Sequence, residues 1–194
     1  MHLIVYGPEG SGKGTQSALL SEKLNIPVFT SGDLVREKAK EKSEIGKICL
    51  AALEKGIYVQ DDVMFILWKE RLSSDKAKRG FILDGFPRNV NQAKFLSEVV
   101  KKQSYDIDKF IYIMLDDKEA VKRLVKRKRT IFKGSKISHD TPDRITKRLE
   151  EFHKKEIPLV DFFKQRNLLL EIDGAASVES VFKSILKNLN LNAE

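Results

Sequence analysis

Five short apolar runs mark the chain: Leu3-Ile4-Val5-Tyr6, Pro27-Val28-Phe29, Phe81-Ile82-Leu83, Phe110-Ile111-Tyr112-Ile113-Met114 and Leu168-Leu169-Leu170-Glu171-Ile172. Most are continuous rather than alternating, which is the pattern of strands covered on both faces. Between them apolar residues recur at helical spacing, as in Leu19, Leu20 and Leu24 after the first run and Phe95, Leu96, Val99 and Val100 after the third. This alternation predicts an α/β fold, a parallel five-stranded sheet flanked by helices. Two stretches exceed a simple crossover. Residues 31–73 read as three successive helices, the middle one closing at Gly56, and residues 127–140 are polar and basic around Gly134-Ser135. Insertions of this kind on a rigid sheet carry function or close over ligands.

Composition narrows the class. At 194 residues, with 41% hydrophobic and 33% charged side chains, the chain is sized for one globular domain and is too apolar to be disordered. No apolar run reaches the ~18 residues of a membrane span. Met1-His2-Leu3-Ile4 lacks the basic and long apolar regions of a secretion signal, so a cytoplasmic location is expected. Cys49 is the sole cysteine, which excludes an internal disulfide and a multi-cysteine structural zinc site. The net charge of +8 is concentrated in residues 118–155, where fourteen Lys and Arg face five Asp and Glu. Only Phe132 and Phe152 are aromatic there. A nucleic-acid reader pairs such charge with stacking residues, so smaller phosphorylated ligands are expected instead.

The first apolar run leads into Gly7-Pro8-Glu9-Gly10-Ser11-Gly12-Lys13-Gly14-Thr15 and then a helical pattern. Glycines allow a turn whose backbone N–H groups point inward, and the following helix adds its positive end. A polyphosphate is cradled there, with Lys13 as a mobile counter-charge. Ser or Thr ordinarily follows the lysine directly, whereas here Gly14 intervenes before Thr15. Phosphoryl transfer needs fixed cations around such a cradle rather than a covalent nucleophile. Candidates are Lys13, Arg36, Arg88, Arg123, Arg127 and Arg148. Asp33 and Asp84 suit waters on Mg2+, although Asp33 also suits a helix cap and Asp84 a turn.

Three segments together carry a resemblance: Gly12-Lys13-Gly14-Thr15-Gln16, Ser31-Gly32-Asp33-Leu34-Val35-Arg36, and Asp84-Gly85-Phe86-Pro87-Arg88 with Gln92 beyond it. In these the chain resembles the adenylate kinase family of nucleoside monophosphate kinases, over essentially its whole length. The resemblance implies a P-loop NTPase core at residues 1–29, 60–127 and 141–194, an NMP-binding insertion at 30–59 and a short lid at 128–140. It implies Mg-dependent transfer from ATP to AMP giving two ADP, by a monomer without a nucleic-acid partner. ATP is then held by Gly10, Ser11, Gly12, Lys13, Gly14, Thr15, Arg123, Arg127 and Ala176. AMP is held by Ser31, Gly32, Arg36, Ile57, Tyr58, Val59, Gly85, Phe86, Pro87, Arg88, Gln92 and Arg148. Lys13, Arg88, Arg123, Arg127 and Arg148 are catalytic, Gln92 reads the acceptor base, and Mg2+ has no direct protein ligand but is reached through water by Asp33 and Asp84. The alternatives are a UMP, CMP or GTP-using relative, or a low-activity nucleotide-binding protein whose basic segment takes a polyanion.

Two departures stand out. Glu9 occupies a cradle position where the family commonly has proline, and repulsion from phosphates predicts that it turns outward to solvent. Eleven residues before Arg148, where the family has arginine, stands Ile137, followed by His139-Asp140 in place of an aspartate pair. Lys133, Lys136 or Arg129 offers a charge there, but lysine lacks the bidentate grip of a guanidinium. Ile137→Arg is therefore expected to raise kcat by roughly tenfold or more, since one transition-state donor is worth a few kcal/mol. Steady-state kinetics showing no gain would count against this alignment of the lid.

Overall fold

A computed structural model describes residues 1–55, 57, 59–127 and 140–192. Its sheet contains β1 (His2–Tyr6), β2 (Val28–Thr30), β3 (Phe81–Asp84), β4 (Lys109–Met114) and β5 (Leu169–Asp173), ordered β2-β3-β1-β4-β5. All four pairings are parallel. The helices are α1 (Lys13–Leu24), α2 (Ser31–Lys38), α3 (Glu44–Lys55), α4 (Asp61–Leu72), α5 (Val90–Lys102), α6 (Asp117–Arg127), α7 (Pro142–Lys164) and α8 (Val178–Asn188). A short 3-10 turn, Asp75–Ala77, precedes β3. Each apolar run thus became a strand, shifted by a residue or two. Pro27 stays outside β2, and Thr30 joins its end.

The continuous apolar runs serve two cores. On one face of the sheet Ile4, Tyr6, Phe29, Leu83 and Phe110 pack with Trp68 of α4, Leu96 of α5 and Phe163 of α7. On the other, Leu3, Val5, Ile82, Ile111 and Ile172 pack with Leu20 of α1 and Ile185 of α8. A strand buried on both sides has no polar face to show, which is why alternation is missing from β1, β3 and β4. A third, small cluster joins α6 to α7 through Ala120, Leu124, Ile145 and Leu149. It fixes the two helices that carry Arg123, Arg127 and Arg148. Val125 of α6 is 44% exposed, because the fully buried stripe is only as wide as Ala120 and Leu124.

Residues 31–73 do form three helices, α2, α3 and α4. Gly56, Tyr58 and residues 128–139 of the expected lid, among them Arg129, Lys133, Lys136, Ile137 and His139, lie outside the described residues. No helix among the described residues is long and apolar enough to cross a membrane.

The parallel register brings the carboxyl ends of β1, β2 and β3 level, with Val5 and Thr30 both opposite Asp84. Ligands of open α/β sheets bind beyond such ends. The position of the site thus depends on the core beneath it. Phe163 lies flat on Phe110, rings 4.1 Å apart and 11° from parallel, and is 2% exposed. Phe163→Ala is expected to cost about 3–5 kcal/mol of stability, read as a lowered midpoint in urea unfolding.

Candidate functional site

The glycine-rich turn runs from β1 into α1. Gly10 and Gly12 have φ of 90° and 93°, conformations that other residues rarely adopt. A Cβ on Gly10 would also lie 3.0 Å from the Ala120 carbonyl oxygen, so the loop's back is pressed against α6. Gly12 caps α1, and Lys13 opens it. Lys13 Nζ donates to the Pro8 carbonyl at 2.8 Å and so lies across the loop. Burial lowers its pKa, opposed by the carboxylates of Asp84 and Glu9. Ser11 is 2% exposed, and its Oγ has no hydrogen-bond partner among the described residues. Gly14 and Thr15 stand in the first turn of α1, and a Cβ on Gly14 would lie 3.6 Å from Asp84 Oδ2. The Asp84 carboxylate therefore overlooks the start of α1. Burial raises its pKa, and Lys13 and Arg88 oppose the rise.

The second side is built at the ends of β2 and β3. Thr30, the last residue of β2, is also the N-cap of α2. Its Oγ1 accepts from Asp33 N at 3.0 Å and donates to Asp33 Oδ2 at 2.7 Å. Arg36 Nη2 donates to Asp33 Oδ1 at 2.7 Å. Burial works to raise the Asp33 pKa, but these bonds from Thr30 and Arg36 outweigh it and hold the carboxyl low. Arg36 packs over Gly32, where a Cβ would meet its guanidinium at 3.0 Å. Ser31 Oγ donates to the Gly85 carbonyl at 3.0 Å and ties α2 to the turn after β3. Arg88 Nε donates to the same carbonyl at 2.8 Å. Within that turn the Phe86-Pro87 bond is cis, and Phe86 stacks on Trp68 at 4.5 Å. Asn89 caps α5 by accepting from Gln92 N at 2.9 Å, while Gln92 Oε1 accepts from Arg88 N at 2.7 Å. This is the reciprocal arrangement of a capping box, with the returning bond one residue further back. Before α4, Val59 is partly buried against the core and Ile57 is 61% exposed.

The third side comes from α6 and α7. Arg123 donates to the carbonyls of Gly174 at 3.0 Å and Ala175 at 3.3 Å, beyond β5 and beside the exposed Ala176. A longer contact, 3.5 Å, reaches the Gly10 carbonyl, and Nε donates to Glu119 at 3.0 Å. Arg123 thus clamps the glycine loop to the loop after β5. Arg127 grips Asp140 with Nε and Nη2, both at 2.9 Å, and this pairing raises its pKa. Arg148 Nη2 donates to the same carboxylate at 3.1 Å. The Asp140 side chain is fully buried between them.

Glu9 corrects one expectation. It does not turn outward: Oε2 lies 3.2 Å from Arg148 Nη1 and 3.7 Å from Arg127 Nη2. Repulsion from phosphates was the wrong comparison, because the guanidinium pair beside the loop attracts nearby anions, Glu9 as well as Asp140. The structure therefore brings Lys13, Arg88, Arg127 and Arg148 together with Glu9, Asp84 and Asp140 at the mouth of the loop. Arg36 belongs to the second side, with Asp33, and Arg123 acts from the back of the loop. Two contributors escaped the sequence reading. Asp140 was seen only as the remainder of an aspartate pair, and Asp61, which accepts from Gln92 Nε2 at 2.6 Å, was not singled out at all. Helix-start position was the only local signal for Asp61.

A glycine cradle at the carboxyl end of a parallel sheet, a lysine across it and a ring of arginines define a nucleotide phosphotransferase of the P-loop class. The adenylate kinase family profile matches residues 5–168. The chain is 38% identical over 187 residues to the adenylate kinase of Leptospira biflexa serovar Patoc, covering 96% of this chain and 98% of that protein. It is 36% identical to that of Bartonella henselae, covering 95% and 97%. Against that of Thermobifida fusca it is 34% identical, with both chains covered completely. The chain belongs to the adenylate kinase family.

Glu9 lies on the same two guanidinium groups that the sequence pattern leads us to expect on phosphates. Glu9→Gln is accordingly expected to lower KM for ATP by roughly three- to tenfold, since arginines held by an internal anion are only partly available. An unchanged or higher KM in steady-state assays would show that the Glu9 contact has no bearing on donor binding.

Proposed function

We propose that this enzyme transfers the terminal phosphoryl group of Mg-ATP reversibly to AMP, giving two ADP. The observation that carries the reading is the convergence of four cations from four separate elements on the mouth of one glycine loop. ATP lies with its phosphates in the loop from Gly10 to Thr15 and its base beside Arg123 and the Ala176 loop. AMP lies against Ser31, Gly32, Ile57, Val59 and the Gly85-Phe86-Pro87 turn, its phosphate on Arg36 and Arg88 and its base on Gln92. The acceptor's phosphate oxygen is already ionised, so no general base is needed. Transfer passes through a loose, charge-spread transition state. Lys13 swings from the Pro8 carbonyl to follow the moving group, and Arg88, Arg127 and Arg148 meet the charge on its equatorial oxygens.

Mg2+ shields the donor's phosphate charge when bound. Asp84 and Asp33 suit it as acceptors for its water ligands. Asp84 ends β3, and Asp33 stands three residues past Thr30, its partner in the register of β2. A Mg2+ that keeps most of its water needs only such contacts through water. Several cations of the basic segment are already paired: Lys122 with Glu119, Lys154 and Lys155 with Glu151, and Arg127 and Arg148 with Asp140. That disposition favours a phosphate-binding interior over an open polyanion surface. A cytoplasmic monomer is the form in which we expect it to act.

Chromatography of products after incubation with Mg-ATP and AMP, UMP, CMP, GMP or water tests the reading. ADP accumulating rapidly with AMP, and at least roughly a hundredfold more slowly with the others, is expected from a base read by paired hydrogen bonds. Equal rates with a pyrimidine acceptor would defeat the assignment of Gln92.

A further inference from the structure

Gln92 meets the acceptor side with both ends of its amide already committed. The residue is 6% exposed. Its Oε1 accepts from the Arg88 backbone N–H at 2.7 Å, and its Nε2 donates to Asp61 Oδ1 at 2.6 Å. A side-chain amide turned over by 180° keeps its shape but exchanges donor for acceptor. Neither neighbour tolerates the exchange: a carboxylate oxygen has no proton to give, and a backbone N–H has no lone pair to offer. Asp61 is itself held, since its other oxygen accepts from Asn89 Nδ2 at 3.3 Å. Oxygen and nitrogen of Gln92 therefore stand in one fixed order. Beyond these two bonds the amide has a second lone pair on Oε1 and a second N–H on Nε2.

We propose that Asp61 sets the acceptor preference by locking Gln92 in the flip that pairs with a 6-aminopurine and mismatches a 6-oxopurine. The proposal rests on the reading of Gln92 as the residue that contacts the acceptor base. Adenine presents a donor amine at C6 next to an acceptor at N1. Hypoxanthine and guanine present an acceptor at O6 next to a donor at N1. The two edges share their spacing and differ in polarity. A free amide satisfies either edge by turning over. The locked amide satisfies one, and on the other it sets donor against donor and acceptor against acceptor in a buried place, where unmade hydrogen bonds are costly. Asp61 acts only through Gln92 and is a positioning residue.

The test compares kcat/KM for AMP and IMP, at saturating Mg-ATP, in the wild type and in Asp61→Asn. IMP differs from AMP only in the polarity of this edge. The substituted amide can turn either its acceptor or its donor toward Gln92, so only the Arg88 N–H still favours one order and the lock is weakened. The AMP-to-IMP ratio is expected to fall by about tenfold or more, with KM for ATP unchanged. Equal losses for both acceptors, leaving the ratio intact, would mean that Asp61 merely supports the fold, and would overturn the proposal. A second measurement does not depend on the variant folding. In 15N-labelled wild type, the Gln92 side-chain amide protons are expected to exchange slowly with solvent; exchange as fast as that of exposed glutamines would overturn the lock. A wild type that phosphorylates IMP as readily as AMP would refute the reading of Gln92 together with the lock, whereas a wild-type preference that survives in Asp61→Asn refutes the lock alone.

Discussion

Four cations drawn to one place repel one another, and the site depends on the carboxylates set among them. Asp140 receives both Arg127 and Arg148, Glu9 closes on the same pair from the loop, and Asp84 faces Lys13 and Arg88. A buried charge without a partner is strongly unfavourable, so each cation destined for phosphate needs an internal anion to hold it in place. The arrangement resembles the bound state in charge though not in chemistry. Carboxylates hold guanidinium groups where we propose that phosphates meet them, so that the arginines need little reorganisation at the moment of transfer.

These charges could not be assembled on a less ordered scaffold. Lys13, Arg88 and the Asp140–Arg148 pair come from parts of the chain far apart in sequence. The parallel register brings three strand ends level, the α6 and α7 cluster fixes the arginine-bearing helices, and the two sheet cores keep those layers from sliding. The caps belong to the same construction. Thr30 ends a strand, starts a helix and orients Asp33, which in turn holds Arg36.

What was legible in the sequence was what depends on near neighbours. Continuous apolar runs gave away strands buried on both faces, the glycine spacing announced the cradle, and the turn from Asp84 to Arg88 carried its carboxylate and arginine at short, fixed offsets. What was hidden depends on partners distant along the chain. Glu9 was expected to avoid phosphates because its own loop was the only context available, whereas its orientation is decided by arginines from α6 and α7. Asp61 follows the same rule. No periodicity relates it to Gln92, which lies on a different helix and meets it only after α4 and α5 pack side by side.

The capping bond of Gln92 ties three properties to one side chain. Its oxygen accepts from the backbone N–H of Arg88, its nitrogen reaches another helix, and what remains of the amide is what we propose reads the acceptor base. A lineage drifting toward a different acceptor cannot exchange this residue alone, because the same change removes half of the cap on α5 and loosens the backbone of Arg88. Compensation would have to arrive at Asp61 or Asn89 as well. Acceptor choice in this protein is therefore expected to resist single-step divergence and to change only through coupled substitutions.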